Sequence, residues 1–270
     1  DYLYDFFHPE VDIEGGDNTA GLVSQPLDDY LYALKYWMWP NGTMITDLEV
    51  MRQICWDIQE MLYDLCPYLP IYSRNYINLY KPGLVCWVES QGYGSAPHKL
   101  ETPWTYCSIH WQYQPVGGGM NWHIDGAISA LNPILARWPH EWTILNRIYD
   151  PLIAVSPNPH EDLPWIAMGW QMEPYVNLTE NVLNGMKITF KIRNDVCWHD
   201  NSNVTAEDLA WNFEFIESIT APELQQIWEP LVKTETTGNY SLELYVNATG
   251  LWKLYEYANT ALTFPQKVWQ

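Results

Sequence analysis

The stretch that decides the fold spans residues 189–216 and reads TFKIRNDVCWHDNSNVTAEDLAWNFEFI. At its start, Ile188, Phe190 and Ile192 alternate with Thr189 and polar neighbours. Such a period of two places the apolar side chains on one face of an extended chain, because successive residues of a strand point to opposite sides. The pattern therefore predicts a strand with one buried face.

A polar loop, residues 194–203, and a helix follow this strand. Thr205 is followed three residues later by Asp208, which is the spacing of a capping box. In a capping box the hydroxyl accepts a hydrogen bond from one free backbone N–H and the carboxylate accepts from another, so a helix begins there. Apolar residues then recur at helical spacing at Leu209, Phe213 and Ile216.

These residues resemble a known protein family. The run from the strand to the helix, together with residues 131–133 (LNP), 142–152 (WTILNRIYDPL) and 164–170 (PWIAMGW), is similar to lobe I of the extracellular solute-binding proteins of the oligopeptide and dipeptide type. Those proteins are the capture subunits of ATP-driven importers (ABC transporters). The resemblance implies a mixed α/β fold, namely lobe I of a type II periplasmic-binding-protein-like fold assembled from two segments.

An earlier segment resembles the opposite end of the same family. A helix is predicted over residues 47–65, capped by Thr46 with Glu49, and it leads into residues 67–72 (PYLPIY). This helix and its sequel are similar to the C-terminal end of the family. The chain therefore carries lobe I pieces in C-terminal-then-N-terminal order.

We divide the chain accordingly. Residues 1–114 are predicted to be the segment that resembles the C-terminal end, residues 115–120 a Gly-rich connector, and residues 121–270 the N-terminal part of lobe I. Three explanations of this order stay open. The sequence is part of a longer tandem protein, it is a natural permutation, or one subunit completes the lobe of the next in a head-to-tail polymer.

Further elements are predicted from local patterns. We expect a strand over residues 121–128, a helix over 142–149, a hairpin of strands 232–236 and 241–246 around Thr-Gly-Asn, and a helix over 252–261. Together with the stretch from 189 to 216, these elements indicate a fold of mixed helices and strands.

Composition restricts the partners. With 33 Asp+Glu against 13 Lys+Arg, the formal net charge is -20, so nucleic acid and anionic membrane surfaces would repel the chain. No run of about 18 apolar residues occurs, which argues against a membrane span. The 16 Trp and 19 Tyr are consistent with core packing, with an aromatic ligand cleft or with a subunit interface.

Cysteines and asparagines suggest covalent features. The five cysteines form no C-x-x-C pair, and Cys86 and Cys107 flank a Gly/Pro-rich region where they either pair or remain free thiols. Five N-x-S/T sequons favour a glycosylated cell-surface protein over coincidence in an Asn-rich chain. The predicted glycosylation sites are Asn41, Asn177, Asn203, Asn239 and Asn247.

No catalytic motif is found in the sequence. It contains no G-x-S-x-G, H-E-x-x-H, P-loop or G-x-G-x-x-G, and its seven His are scattered singly. His199 and Asp200 are adjacent, but neighbouring residues at the end of a strand face opposite ways and do not pair. We therefore expect no enzyme activity, no cofactor and no metal.

The resemblance implies binding. It predicts an extracellular solute-binding module whose ligand is a peptide or small solute and whose further partner is a membrane importer. The loop at residues 130–133 would line the cleft, with Asn132 in it and Tyr72, Trp138 and Trp142 as candidate walls. The alternative is a structural cell-surface protein, a filament, sheath or surface-layer subunit, in which copies of the chain bind one another.

Overall fold

The structure is a computed structural model of the 270-residue chain. It describes residues 2–13, 16–45, 47–69, 71, 81–89, 102–116, 118–124, 126–158, 162–219, 230–259 and 263–269. The chain divides into two compact units, Asp1–Asn75 and Tyr76–Gln270. Within the described residues, no helix combines the length and the apolar character that crossing a bilayer requires.

The first unit is helical. Its helices are α1 (Tyr2–Phe7), a short 3-10 helix (Pro9–Val11), α2 (Gln25–Tyr36) and α3 (Leu48–Leu65). Helices α2 and α3 pack together through apolar side chains, and their removal from water stabilises the pair. The side chains buried in this unit include Leu27, Leu31, Leu34, Met51, Ile54 and Ile58.

Helix α3 confirms the predicted helix over residues 47–65, but its cap is a different residue. Asp47 is the N-cap, and its side chain accepts a hydrogen bond of 2.8 Å from the Glu49 backbone N–H. The predicted cap Thr46 lies outside the described residues. Aspartate serves because its carboxylate accepts from a free N–H and its charge suits the positive end of the helix.

The second unit mixes helices and strands. Its strands are β1 (Leu84–Val85), β2 (His110–Trp111), β3 (Ile153–Val155), β4 (Asp162–Pro164), β5 (Ala167–Asn177), β6 (Val182–Ile192), β7 (Leu231–Thr236) and β8 (Ser241–Val246). Its helices are α4 (Pro103–Ser108), α5 (Pro139–Leu145), α6 (Ala206–Ser218), α7 (Leu251–Asn259) and α8 (Gln266–Trp269). The predicted mixed α/β (α+β) fold class is confirmed.

An antiparallel sheet with strand order β5-β6-β8-β7 forms the centre of this unit. On β6, Ile188, Phe190 and Ile192 are buried as predicted, while the residues between them are more exposed. Strand β5 lies at one edge of the described sheet and contains Pro174, which is aligned with Met186 of β6.

Helix α6 begins with the predicted capping box. The Asp208 backbone N–H donates to Thr205 Oγ1 at 3.2 Å, and the Thr205 backbone N–H donates to Asp208 Oδ2 at 2.9 Å. Leu209, Phe213 and Ile216 of the helix are buried in the same apolar core as β6. The predicted hairpin is also confirmed, by the pairing of β7 with β8.

Two local predictions in this unit are wrong. The described residues within 121–128 form no strand, and the helix predicted over 142–149 is α5, which begins at Pro139 and ends at Leu145. Aromatic contacts hold the extended segment instead of a strand ladder, because the ring of Trp122 lies 4.6 Å from that of Tyr106 and 6.0 Å from that of Trp87.

The segment around α4 packs against later parts of the second unit. Trp104 Nε1 donates to the Val155 carbonyl at 3.0 Å, and its ring meets the edge of Trp165 at 5.8 Å. By spatial compactness, the two units of the structure separate near residue 75. The division at 115–120 is predicted on a different basis, namely the resemblance of each segment to one end of the family. That division stays a prediction.

Gly185 gives a test of this sheet. A Cβ added there would lie 2.6 Å from the Val246 carbonyl oxygen and 3.0 Å from that of Tyr175, which are backbone atoms of both neighbouring strands. We expect G185A to lower the free energy of unfolding by about 1–3 kcal/mol, because the strands must move apart. Urea unfolding followed by circular dichroism measures the change.

Gly169 provides the matched control, because a Cβ there meets no atom within 4 Å. We expect G169A to leave stability unchanged or to raise it by about 0.5–1 kcal/mol, since alanine loses less backbone entropy than glycine on folding. Equal losses of stability for G185A and G169A would contradict the close approach of the three strands.

Candidate functional site

The segment that leads into α5, residues 126–138, is held in place by one buried carboxylate. Glu141 is fully buried, and its Oε1 accepts from the Ser129 N–H at 2.7 Å, the Ser129 Oγ at 2.6 Å and the Ala130 N–H at 2.8 Å. Its Oε2 accepts from the N–H groups of Arg137 and Trp138 at 3.0 and 3.2 Å. One side chain therefore fixes both ends of the loop.

These hydrogen bonds control the charge of Glu141. The Ser129 hydroxyl, helped by the backbone N–H groups, holds the pKa of the Glu141 carboxyl well below its ordinary value, although burial alone would raise it. The carboxylate is ionised at neutral pH and its acceptor sites are filled. A buried charge that is satisfied in this way specifies one loop conformation.

A second contact fixes the start of the loop. The His140 Nε2 lies 2.9 Å from the Ala127 carbonyl oxygen, and a Cβ on Gly126 would lie 2.6 Å from the His140 ring. Gly126 also has a φ of +140°, a value that L side chains rarely adopt. Glycine is required because the backbone passes directly over the imidazole.

The outer side of this loop is apolar and faces solvent. Trp138 is 56% exposed and stacks on His140 with a ring separation of 6.3 Å and an interplanar angle of 8°. We define the apolar loop surface by its exposed side chains, which are Ile128, Leu131, Leu135 and Trp138. Exposed large apolar groups on a rigid backbone are typical of binding surfaces.

The candidate binding residues have different environments. Asn132 stabilises the loop, since its Oδ1 accepts from the Ile134 N–H at 2.9 Å. Trp138 projects from the loop, whereas Trp142 is partly buried against the apolar core of the sheet. Tyr72 lies outside the described residues. The structure thus places Asn132, Trp138 and Trp142 within one loop-and-helix segment.

The predicted glycosylation sites are mostly exposed. Asn41, Asn203, Asn239 and Asn247 are exposed, and Asn177 is half-buried. The Asn177 Nδ2 donates to the Tyr175 hydroxyl and to Glu180 Oε2 at 2.9 and 2.7 Å. A glycan on Asn177 would disrupt these contacts, whereas the other four side chains are accessible to a glycan.

The remaining reactive groups are the cysteines and the adjacent His199 and Asp200. All five cysteines are free thiols in the structure, so the predicted option of a Cys86–Cys107 pair is not formed. Four of them are exposed, and Cys55 is partly buried. Asp200, next to His199, forms an ion pair with Lys267. Among the described residues, no group of three or more His, Cys, Asp or Glu is arranged to hold a metal ion.

Glu141 is the residue that the sequence analysis missed. A signal was present, because Pro139 is suited to the first turn of a helix and Glu141 occupies the third helical position, where a carboxylate reaches back to the cap. The spacing is that of a capping box, but the residue at the cap is Trp138 rather than serine or threonine. The sequence pattern of a capping box was therefore not recognised.

Part of the second unit matches a known protein family. Residues 163–267 match the model of the bacterial extracellular solute-binding proteins, family 5 Middle. Over 156 residues the chain is 26% identical to a probable peptide-binding protein, YejA, of Agrobacterium fabrum, covering 58% of this chain. The chain spans only 24% of the length of that relative.

Two solved structures show some likeness to the chain. NikZ from Campylobacter jejuni, in complex with Ni(L-His), has a TM-score of 0.42 and 15% identity, covering 54% of this chain and 27% of that one. DppA from Helicobacter pylori, in complex with the peptide STSA, has a TM-score of 0.42 and 16% identity, covering 52% and 29%. The resemblance predicted from residues 189–216 is confirmed by the family match.

The buried Glu141 carboxylate predicts a pH dependence. Because its pKa is lowered in the folded state, its contribution to stability is present above the ordinary glutamate pKa of about 4.3 and is lost as the pH falls below that value. We expect E141Q to lower the melting temperature by several degrees at pH 7, and the gap to wild type to shrink steadily below pH 4.

The control is Glu207→Gln in the first turn of α6, whose side chain lies on the surface of the second unit. Calorimetric melting curves of both variants from pH 7 to pH 3 measure the effect. An E141Q curve that stays parallel to wild type over the whole range would contradict the role of the ionised carboxylate.

Proposed function

Starting from the match of residues 163–267 to the family-5 extracellular solute-binding proteins, we propose that the chain forms part of the solute-binding component of an ATP-driven importer. The ligand class is peptide-type, in keeping with the peptide-binding name of the Agrobacterium relative. The family match carries this proposal, because it covers β5 to β8, α6 and α7 in one continuous run. The place of action is outside the cytoplasm, and the partner is a membrane importer.

The apolar loop surface is the part of the chain that we propose to contact the ligand. Its backbone is fixed by Glu141, so little conformational entropy is lost when a ligand binds. Trp138 offers a flat, rigid apolar face to a ligand. Asn132 would hold the loop in shape, while Trp142 and Tyr72 remain proposed walls of the cleft.

The same proposal makes the protein a binder and not an enzyme. Binding of this kind needs shape, an apolar face and main-chain hydrogen bonds, and the loop region supplies the first two from described residues. We also propose that Asn41, Asn203, Asn239 and Asn247 carry glycans, since their side chains are exposed. Glycan mapping by mass spectrometry of natively produced protein tests this assignment.

Replacement of Trp138 tests the ligand surface. We expect the full chain to give saturation-transfer NMR signals from the tripeptide Ala-Phe-Ala and from the tetrapeptide Ser-Thr-Ser-Ala. In W138A the affinity should fall roughly 2- to 10-fold, which is the contribution of one aromatic contact. A titration of signal against peptide concentration gives the affinity.

The control is W252A, because Trp252 on α7 is 47% exposed and lies outside the apolar loop surface. It should bind both peptides as wild type does. Equal binding by W138A and wild type would remove the loop from the ligand site. No signal from either peptide with wild type would count against peptide binding itself.

A second candidate is a structural cell-surface protein that binds copies of itself. What favours it is the tip of the β5–β6 hairpin, where Val176, Leu178 and Leu183 are exposed by 62%, 77% and 61%. Apolar side chains gathered at a hairpin tip suit a contact with another protein. Under this candidate the protein functions by binding copies of itself, and it does not act by binding a solute.

Sedimentation velocity between 1 and 100 µM distinguishes the two candidates. Self-assembly predicts a sedimentation coefficient that rises with concentration and falls back to the monomer value in L178D. The matched control is L69D, since Leu69 is 81% exposed in the other compact unit. A monomer at all concentrations would exclude assembly through the hairpin tip.

A further inference from the structure

A surface cleft of about 340 Å³ lies in the second compact unit, apart from the residues of the apolar loop surface. One wall is the loop after β6, represented by Trp198, Ser202 and Asn203, and the floor includes Asp208. The opposite wall is Pro265, Gln266 and Lys267 at the start of α8. This volume is at the small end of the range for ligand sites.

The first wall is rigid. The Trp198 N–H donates to the Ser202 carbonyl at 2.8 Å, and the Asn201 N–H donates to the Trp198 carbonyl at 2.9 Å, so the loop closes on itself. Cys197 and Asn203 form an isolated bridge beneath this turn. The indole of Trp198 is partly buried against the core, which fixes the position of its remaining face.

The second wall is anchored through a buried asparagine. Asn212 of α6 is 3% exposed; its Nδ2 donates to the Phe264 carbonyl and its Oδ1 accepts from the Phe264 N–H, both at 2.9 Å. A side-chain amide that pairs with both backbone groups of one residue acts like a neighbouring strand. Pro265 and Gln266 follow directly, so this wall of the cleft is anchored to α6.

The charged groups inside the cleft already have hydrogen-bond or ion-pair partners. Lys267 forms an ion pair with Asp200 and donates to Ser202 Oγ at 2.8 Å. Asp208 is held by the capping box with Thr205. A charged ligand would compete with these contacts. A neutral ligand with many hydroxyl groups would not, because a hydroxyl both donates and accepts.

We propose that this cleft binds a neutral pyranose sugar, with the C–H face of the ring on Trp198 and its hydroxyls on the side-chain amides of Gln266 and Asn203. The aromatic wall provides the apolar contact, and the amides provide directional hydrogen bonds. The sugar has two possible sources, a free saccharide or a glycan attached to Asn203, whose side chain lines the cleft and opens the sequon Asn203-Val204-Thr205.

The first arm of the test uses the full chain made without glycans, with glucose, mannose and N-acetylglucosamine as probes. Saturation-transfer NMR should show one or more of these sugars bound through ring C–H protons. We expect W198A to reduce the signal at least fivefold and W252A to leave it unchanged. Because Trp198 touches the core, Q266A serves as a second variant and should weaken binding at least twofold.

The second arm uses chain produced in a host that attaches N-glycans. A glycan seated in the cleft should be released from Asn203 by a glycosidase several-fold more slowly than a glycan on Asn239, which stands on an exposed turn. In W198A the two release rates should become equal. Slower release from Asn203 that is lost in W198A supports the attached glycan as the sugar in the cleft. Binding of a probe in the first arm supports a free saccharide.

The proposal is overturned if no probe binds the glycan-free chain and the Asn203 glycan is either absent or released as fast as that on Asn239. It is also overturned if sugar binding survives unchanged in both W198A and Q266A. Peptide binding is tested separately through Trp138, so failure of the sugar site leaves the proposed binding of peptides untouched.

Discussion

Strand β6 is the constraint on which the second unit depends. It pairs with β5 on one side and β8 on the other, and its buried residues Ile188, Phe190 and Ile192 share one apolar core with α6. A shift of one residue in this strand would turn all three side chains to the opposite face. The register is therefore fixed by apolar burial, and the hairpin, the helix and the loop after the strand follow from it.

This dependence explains which parts of the fold were predictable. Strand β6, the cap at Thr205 and the β7–β8 hairpin are encoded by neighbours in sequence, and each is found where the local pattern placed it. The strand expected at 121–128 failed for the opposite reason. An extended segment becomes a strand only when another strand lies beside it, and here the rings of Tyr106 and Trp87 contact Trp122 instead. Such partners, 16 and 35 positions distant, leave no local trace.

The same distinction applies to the candidate site. The loop at 130–133 and Trp138 were identified from a resemblance, whereas Glu141 was not, because its partners are mostly backbone N–H groups that every residue except proline possesses. The sequence therefore shows the Glu141 carboxylate, but it does not show which backbone N–H groups donate to it. Once the loop is folded, the carboxylate links two segments, residues 129–130 and 137–138, and Leu131 and Leu135 between them face solvent. The rigidity of this surface thus comes from a residue that does not belong to it.

Pro174 has a consequence for the edge of the described sheet. Proline within a sheet is found on edge strands, with its nitrogen turned away from the ladder, because it has no N–H to donate. Among the described strands β5 pairs only with β6, so its other side lacks a donor at Pro174, and a foreign strand laid along it would leave a carbonyl unpaired. Backbone pairing, which accepts almost any sequence, is disfavoured at this edge. A protein that met this edge would therefore be selected by its side chains more than by backbone pairing.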